Sequence, residues 1–299
     1  MSKILSGKKI AEKIKKELKQ KIAKSKIKPG LAIILIGQNK SSKIYVEIKE
    51  KACKEIGMHF ELFTFKIFDG KTKKYIFNLE KKIIDLIKKL NKRQDIHGIL
   101  VQVPLPKGLN TNKIIETIDP KKDADGFHPQ NIKKLLLKNE TIVSPVFRAI
   151  IKFLEILPKT ILKQKKNKVL IIGKNKIFVE PLKSFLEKFK LNANIFFYKK
   201  NKIQELKKIS AQADILIIVI GEPNFIMTEM VKKESIIIDV GYNFIKNKSV
   251  GDVDFENVFK KVKFITPVPG GIGPLTVAFL LKNCYELAQK SLKQKNIKT

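Results

Sequence analysis

Cysteine is scarce in this chain of 299 residues: there are two, Cys53 and Cys284, and they form no disulfide framework and no metal-binding spacing. A reducing compartment, the cytoplasm, is therefore expected, with no resident metal. Long apolar runs are missing as well. The longest, such as Ile215–Ile220, fall far short of the roughly 20 residues that span a bilayer. Met1–Ile10 carries no long apolar stretch ahead of its first charged cluster, which argues against a secretory signal. No membrane partner is expected. Gly (15) and Pro (12) are not in excess, and hydrophobic residues make up 43%, so the chain is neither fibrous nor disordered and can build buried sheets.

Acidic residues are also few, 28 against 62 basic ones, for a formal charge of +34. Such a surplus suits an anionic partner, and nucleic acid is the obvious candidate. The footprint of a nucleic-acid surface is a basic patch or stripe, however, and here Lys is scattered through almost every segment. Ile, Lys and Asn dominate together, the mark of codon drift towards A and T. Drift explains the charge better than a nucleic-acid partner does, and a basic binding protein on an α/β scaffold stands only as the reading from another class.

What is present is alternation. Ile10, Ile14, Leu18 and Ile22 recur every four residues, so Lys8–Lys24 reads as a surface helix. Leu31–Ile36 reads as a buried parallel strand ending at Gly37. Ser41 or Ser42 is expected to cap the next helix, which carries Tyr45, Lys49, Ala52 and Ile56. Strands near Phe60–Phe65 and Ile96–Val101 flank a helix through Leu79, Ile83, Leu86 and Leu90. A second series begins after Pro145, with strands at Val169–Ile172, Asn194–Tyr198, Ile215–Ile220 and Ile236–Val240. Helices through Leu182–Phe189 and Ile203–Ala211 separate the first three, Lys163–Lys168 is a loop, and Thr276–Leu292 is helical. The class is α/β with two domains, the second a doubly wound, Rossmann-type nucleotide-binding unit. The expected division is 1–143 completed by a C-terminal helix over 274–299, and 144–273.

Three constellations carry chemistry. Tyr45 and Lys49 sit four apart and share a helix face, a pattern that equally describes a half-exposed Tyr beside a solvated Lys. Gln102 ends the apolar strand Gly98–Val101, at the carboxyl edge where α/β sheets place ligands, and a Pro-Leu-Pro turn follows it. Asp119, Asp123 and Asp125 crowd seven residues without a calcium-loop spacing, and Asp125-Gly126 is also a plain turn. His128 has no partner His or Cys and reads as structural.

The order of these blocks resembles the bifunctional methylenetetrahydrofolate dehydrogenase/methenyltetrahydrofolate cyclohydrolase family. It runs Gly37…Tyr45-Val46-x-x-Lys49, Gly98-Ile99-Leu100-Val101-Gln102 and Lys122-Asp123-x-Asp125-Gly126-Phe127-His128. It continues through Gly221-Glu222-Pro223-Asn224-Phe225-Ile226, Ile238-Asp239-Val240-Gly241-Tyr242-Asn243 and Gly251-Asp252-Val253 to Pro267-Val268-Pro269-Gly270-Gly271-Ile272-Gly273-Pro274. The resemblance implies a folate cleft between two α/β domains, in which methylene-tetrahydrofolate is oxidised with NADP and the methenyl product hydrolysed. It implies that Lys49 moves protons, Gln102 orients it, Tyr45 stacks on the folate, and Asp125 holds the pterin. Gly270, Gly271 and Pro274 would line the substrate site, and Gly173, Lys174, Asn175, Lys199 and Tyr242 the cofactor site. A homodimer is also implied.

The cofactor half departs from the family. Ser144-Pro145-Val146-Phe147 stands where a Pro-Cys-Thr-Pro turn is usual, and Lys174, Asn175 and Val179 stand where Arg, Ser and Gly are usual. Lys lacks the bidentate fork of Arg, and Val179 is expected to keep phosphate from the backbone. There is no Gly-x-Gly-x-x-Gly, and the expectation is weak NADP binding, or a member of the family that is mainly a cyclohydrolase. Lys199-Lys200 in place of an acid after the second strand favours NADP over NAD.

Overall fold

The computed structural model describes residues 3–67, 72–139, 141–158, 167–245 and 248–296, so most of the expected Lys163–Lys168 loop lies outside the described residues. The chain divides into two units. One holds Glu12–Lys134, Thr141–Pro145 and Val277–Thr299, and the other holds Met1–Ala11, Leu135–Glu140 and Val146–Thr276. Met1–Ala11 thus goes with the second unit, not with the 1–143 segment to which the sequence assigned it. The reason is that Lys3–Ile4 pairs in parallel with Phe264–Ile265. Among the described residues no helix is long and apolar enough to cross a membrane.

In the first unit three parallel strands lie in the order His59–Phe65, Gly30–Ile36, Gly98–Gln102. The central strand is buried along its length, and its side chains alternate between two cores. Leu31, Ile33 and Leu35 pack with Val46, Cys53 and Ile56 of helix Lys40–Ile56 and with Leu280, Cys284 and Leu287 of helix Ile272–Asn296. Ala32, Ile34 and Ile36 pack with Leu79, Ile83, Ile87 and Leu90 of helix Lys73–Lys92. The expected strand at Ile96 begins instead at Gly98, where a Cβ would lie 2.9 Å from the Cys284 sulfur.

Helix Lys40–Ile56 is capped by Asn39, whose side chain accepts the Ser42 amide hydrogen. The expected cap, Ser41 or Ser42, falls inside the first turn because Asn39 supplies the carbonyl one turn earlier. The helix stops at Gly57, which takes the left-handed conformation (φ +80°) that closes its last carbonyls.

In the second unit six parallel strands run Lys3–Ile4, Phe264–Ile265, Ile236–Asp239, Ile215–Val219, Val169–Gly173, Ala193–Phe197. After Val169–Gly173 the chain moves to one side for its second strand and to the other side for its third. The order reverses between Val169–Gly173 and Ile215–Val219, and the carboxyl ends of those two strands form the crevice where such sheets bind ligands. Phe255–Phe259 is a short helix after an antiparallel hairpin of Asn243–Ile245 with Lys248–Val250.

Candidate active site

Lys49 lies on the inner face of helix Lys40–Ile56, one turn after Tyr45, and is 5% exposed. Its Nζ donates a 2.7 Å hydrogen bond to Gln102 Oε1 and stands 5.6 Å from the centre of the Tyr45 ring. Gln102 is locked in that sense because its own Nε2 donates to the Val103 carbonyl, 3.0 Å away. Only the amide oxygen is left to face the lysine. Burial pulls the Lys49 pKa from 10.5 down to about 8, although the negative charge of Asp125 resists. An amine poised there exchanges protons close to neutral pH.

Asp125 reaches this lysine from a turn that Asp123 organises. The Asp123 carboxylate accepts the backbone amides of Gly126 (2.9 Å) and His128 (2.8 Å) and the Asn131 side chain (2.9 Å). Gly126 takes φ +75°, and a Cβ there would lie 2.7 Å from the Ser144 amide nitrogen. Asn283, from the last helix, donates to the carbonyls of Ala124 and Val143, both at 2.9 Å. Asp123 is therefore scaffold, and Asp125 is the carboxyl the turn presents. Burial pushes Asp125 up to about 6, with Lys49 pulling the other way. One end of this site is a lysine that gives up its proton readily, and the other is a carboxyl suited to amino and ring N–H donors. His128 is buried in the turn with its ring beside the Glu116 carbonyl.

The second unit gathers a different set at its switch point. Helix Lys176–Glu187 starts just beyond Gly173, and Asn175 caps it by accepting the Ile177 amide hydrogen at 2.9 Å. The Asn175 side chain is thus spent on the helix, whose amino end faces the crevice and suits a phosphate. Lys174 Nζ pairs with Glu222 at 2.9 Å and stands 5.1 Å from the centre of the Tyr198 ring. Glu222 also feels Lys200, not Lys199, which is exposed at the start of a single 3-10 turn. Val179 is fully buried, with a methyl group packed beneath Gly173. A Cβ on Gly173 would lie 2.6 Å from a Val179 methyl, so here the glycine is on the strand and the bulk on the helix. The close strand–helix contact is kept with the two roles exchanged. Helix dipole, lysines and close packing together fit a dinucleotide.

Two buried carboxylates hold this rim. Asp252 accepts the amides of Ile220 (2.6 Å), Gly221 (2.9 Å) and Glu222 (3.0 Å) and the side chain of Asn243. Asp239 accepts those of Gly241 (2.9 Å) and Val253 (3.0 Å), and burial and the Asp252 charge push it up to about 7. Tyr242 follows, its hydroxyl accepting from Ser249 at 2.8 Å. Gly270 (φ +111°) and Gly271 form a tight turn in which Gly271 donates to the Pro267 carbonyl at 2.7 Å. Pro274 sits in the first turn of helix Ile272–Asn296, where a missing N–H costs nothing.

The pattern of the tetrahydrofolate dehydrogenase/cyclohydrolase catalytic domain matches residues 5–125, and that family's NAD(P)-binding domain matches residues 148–292. The chain belongs to this family. It is similar to the bifunctional protein FolD of a Nitratiruptor species, 39% identical over 292 residues, covering 96% of this chain and 98% of that protein. Among solved structures it is similar to the bifunctional FolD enzyme, methylenetetrahydrofolate dehydrogenase/cyclohydrolase, of Campylobacter jejuni. There the identity is 35%, coverage 97% and 100%, and the TM-score 0.83. The Trypanosoma brucei dehydrogenase-cyclohydrolase complexed with NADP cofactor and inhibitor gives 28% identity, 97% and 98% coverage, and a TM-score of 0.84.

For this member of the family, Lys49, Gln102, Tyr45 and Asp125 meet in the first unit, and Gly173, Lys174 and Asn175 meet at the switch point of the second. Sequence reasoning missed Glu222 and Asp252 as parts of that rim. Both stand in family blocks, but only the crossing of strands reveals what they touch.

Proposed function

We propose that Lys49 is the proton-transfer group for hydrolysis of methenyl-tetrahydrofolate, in an enzyme that first makes this compound by oxidising methylene-tetrahydrofolate with NADP. The observation that carries the reading is the buried Lys49 ammonium, 2.7 Å from a fixed Gln102 and held at a pKa of about 8. Hydride loss from the methylene carbon is assisted by its two neighbouring nitrogens, so the protein mainly has to position that carbon. Bound at the second unit's switch point, NADP supplies the hydride acceptor. Hydrolysis needs more. Water adds to the methenyl carbon as a proton leaves it, the bond to one ring nitrogen breaks, and that nitrogen takes up a proton. Neutral Lys49 receives the first proton and returns it as the ammonium, while Gln102 keeps the amine directed.

Tyr45 would stack against the folate rings, and Asp125 would accept from the amino-bearing edge of the pterin, two donors to two oxygens. Gly270, Gly271 and Pro274 would shape the substrate side of the second unit, and Tyr242 and Lys199 the cofactor side. The same reading takes the chain as a cytoplasmic homodimer, consistent with two unpaired, buried cysteines and testable by light scattering.

The test follows absorbance during incubation with methylene-tetrahydrofolate and NADP, in wild type and Lys49→Met. Methenyl hydrolysis should fall by roughly a hundredfold or more, with hydride transfer far better preserved. Equal loss of both steps at unchanged folate binding would remove Lys49 from the role.

A further inference from the structure

The charged groups around Lys174 do more than attract phosphate. We infer that Glu222 sets how strongly this protein distinguishes the 2′-phosphorylated dinucleotide from the unphosphorylated one, by competing with the 2′-phosphate for Lys174. The inference rests on the reading of the second unit as the NADP site, and it adds a residue that decides specificity.

Three neighbouring strand ends carry the argument. In the sheet, Ile215–Val219 lies beside Val169–Gly173, and Ala193–Phe197 lies on its other side. Lys174 follows the middle strand, Tyr198 and Lys200 follow the second, and Glu222 arrives from the third. In doubly wound folds the ribose of the adenosine half is read just past the second strand, where an acidic residue selects the free 2′-hydroxyl and a cation the 2′-phosphate. Past that strand this chain has Lys199-Lys200, which on sequence alone favours the 2′-phosphate. The fold returns an acid to the same place. Glu222 pairs with Lys174 at 2.9 Å, the Tyr198 hydroxyl interacts with the same carboxylate, and Lys174 stands 5.1 Å from the Tyr198 ring centre.

Glu222 is also not free to swing away at its root, since its amide is tied to Asp252 at 3.0 Å. Its side chain is 27% exposed and that of Lys174 44%, so the pair is only partly screened. A 2′-phosphate entering here meets Lys174 and Lys200 but must displace or face the Glu222 carboxylate. A 2′-hydroxyl meets no such conflict and can donate to that carboxylate. The preference for NADP is therefore held below what the two lysines alone would give.

Calorimetric titration of NADP and of NAD at fixed ionic strength, on wild type, Glu222→Gln and Lys174→Met, tests this without turnover. In Glu222→Gln, NADP should bind roughly three- to twentyfold tighter, the range for removing one exposed like charge facing a dianion. NAD should bind no tighter, so the ratio of the two dissociation constants rises by about tenfold. Lys174→Met should weaken NADP more than NAD. A Glu222→Gln ratio within twofold of wild type, with both dinucleotides binding, overturns the inference and leaves the NADP site standing. Wild type that binds neither dinucleotide, while still hydrolysing methenyl-tetrahydrofolate, overturns the inference together with the reading it rests on. A matching thermal unfolding curve for Glu222→Gln separates these results from misfolding.

Discussion

Asp125 and Lys49 shift each other's protonation in opposite directions: the carboxylate raises the lysine's pKa, the ammonium lowers the carboxyl's, and burial outweighs both effects. The lysine ends near 8 and the carboxyl near 6, so the two titrate within a narrow span around neutrality. The pH dependence of hydrolysis is accordingly a readout of their pairing.

At folate well below saturation, where the rate reports the free enzyme, hydrolysis should rise with pH through an inflexion near 8, as Lys49 loses its proton. Replacing Asp125 by Asn removes the charge that stabilises the ammonium, so the inflexion should move to lower pH, by about one unit or more. Rates of methenyl decay between pH 6 and about pH 10 measure it. An inflexion that stays put would mean that Asp125 does not act on Lys49.

The same burial makes Lys49 a burden on the fold. Its folded pKa is depressed from 10.5 to about 8, so the unfolded chain binds the proton more tightly and stability rises with pH across that window. Below pH 8 the full penalty applies, on the order of 3 kcal/mol, against which losing the Gln102 partner returns about 1 kcal/mol. Lys49→Met should therefore unfold at higher temperature than wild type at pH 7. The gap should close as pH approaches about 10.5, and scanning calorimetry at several pH values follows it.

Val179→Gly should weaken the protein and leave NADP affinity no tighter. The side chain is fully buried beneath Gly173, and its loss opens a cavity and places glycine inside a helix, together about 3 kcal/mol. Urea denaturation with parallel NADP titration settles both halves. Tighter binding in the variant would show that the methyl groups obstruct phosphate after all.

Asp252→Ala should cost about 3–5 kcal/mol, because three buried or partly buried amides lose one acceptor together. Since those amides belong to Ile220–Glu222, dinucleotide affinity should fall while the environment of Lys49 is unchanged. Calorimetric NADP binding and the pH profile of hydrolysis report the two effects separately.

Local periodicity made much of this legible. A four-residue spacing puts Tyr45 beside Lys49, and the end of an apolar strand announces Gln102, so both positions could be read from local pattern, while the role expected of Lys49 came from the family resemblance. Asp125 came through the family's motif, because its nearness to Lys49 depends on a turn stitched by Asp123 and Asn283. Lys3–Ile4 was out of reach, since a two-residue edge strand carries no period. Glu222 was out of reach for another reason: its partners follow two other strands, and only the sheet order brings those ends together. The packing of Val179 against Gly173 was out of reach as well, since it depends on how the helix sits on the strand.

The tie between Asn283 and the carbonyls of Ala124 and Val143 has a consequence for the newborn chain. Asn283 lies 159 residues after Ala124, and the same helix covers the face made by Leu31, Ile33 and Leu35. Ribosomes add about 5–20 residues per second, so the turn at Ala124 waits roughly 8–30 s for the helix that ties it, and the strands made before it wait longer. During that interval the face shared by Leu31, Ile33 and Leu35 is covered by helix Lys40–Ile56 but lacks Leu280, Cys284 and Leu287, while most of the second sheet is being made. Synthesis in the cell is thus the period of greatest exposure to aggregation, and a chain cut short before Asn283 leaves the unit that holds Lys49 unfinished.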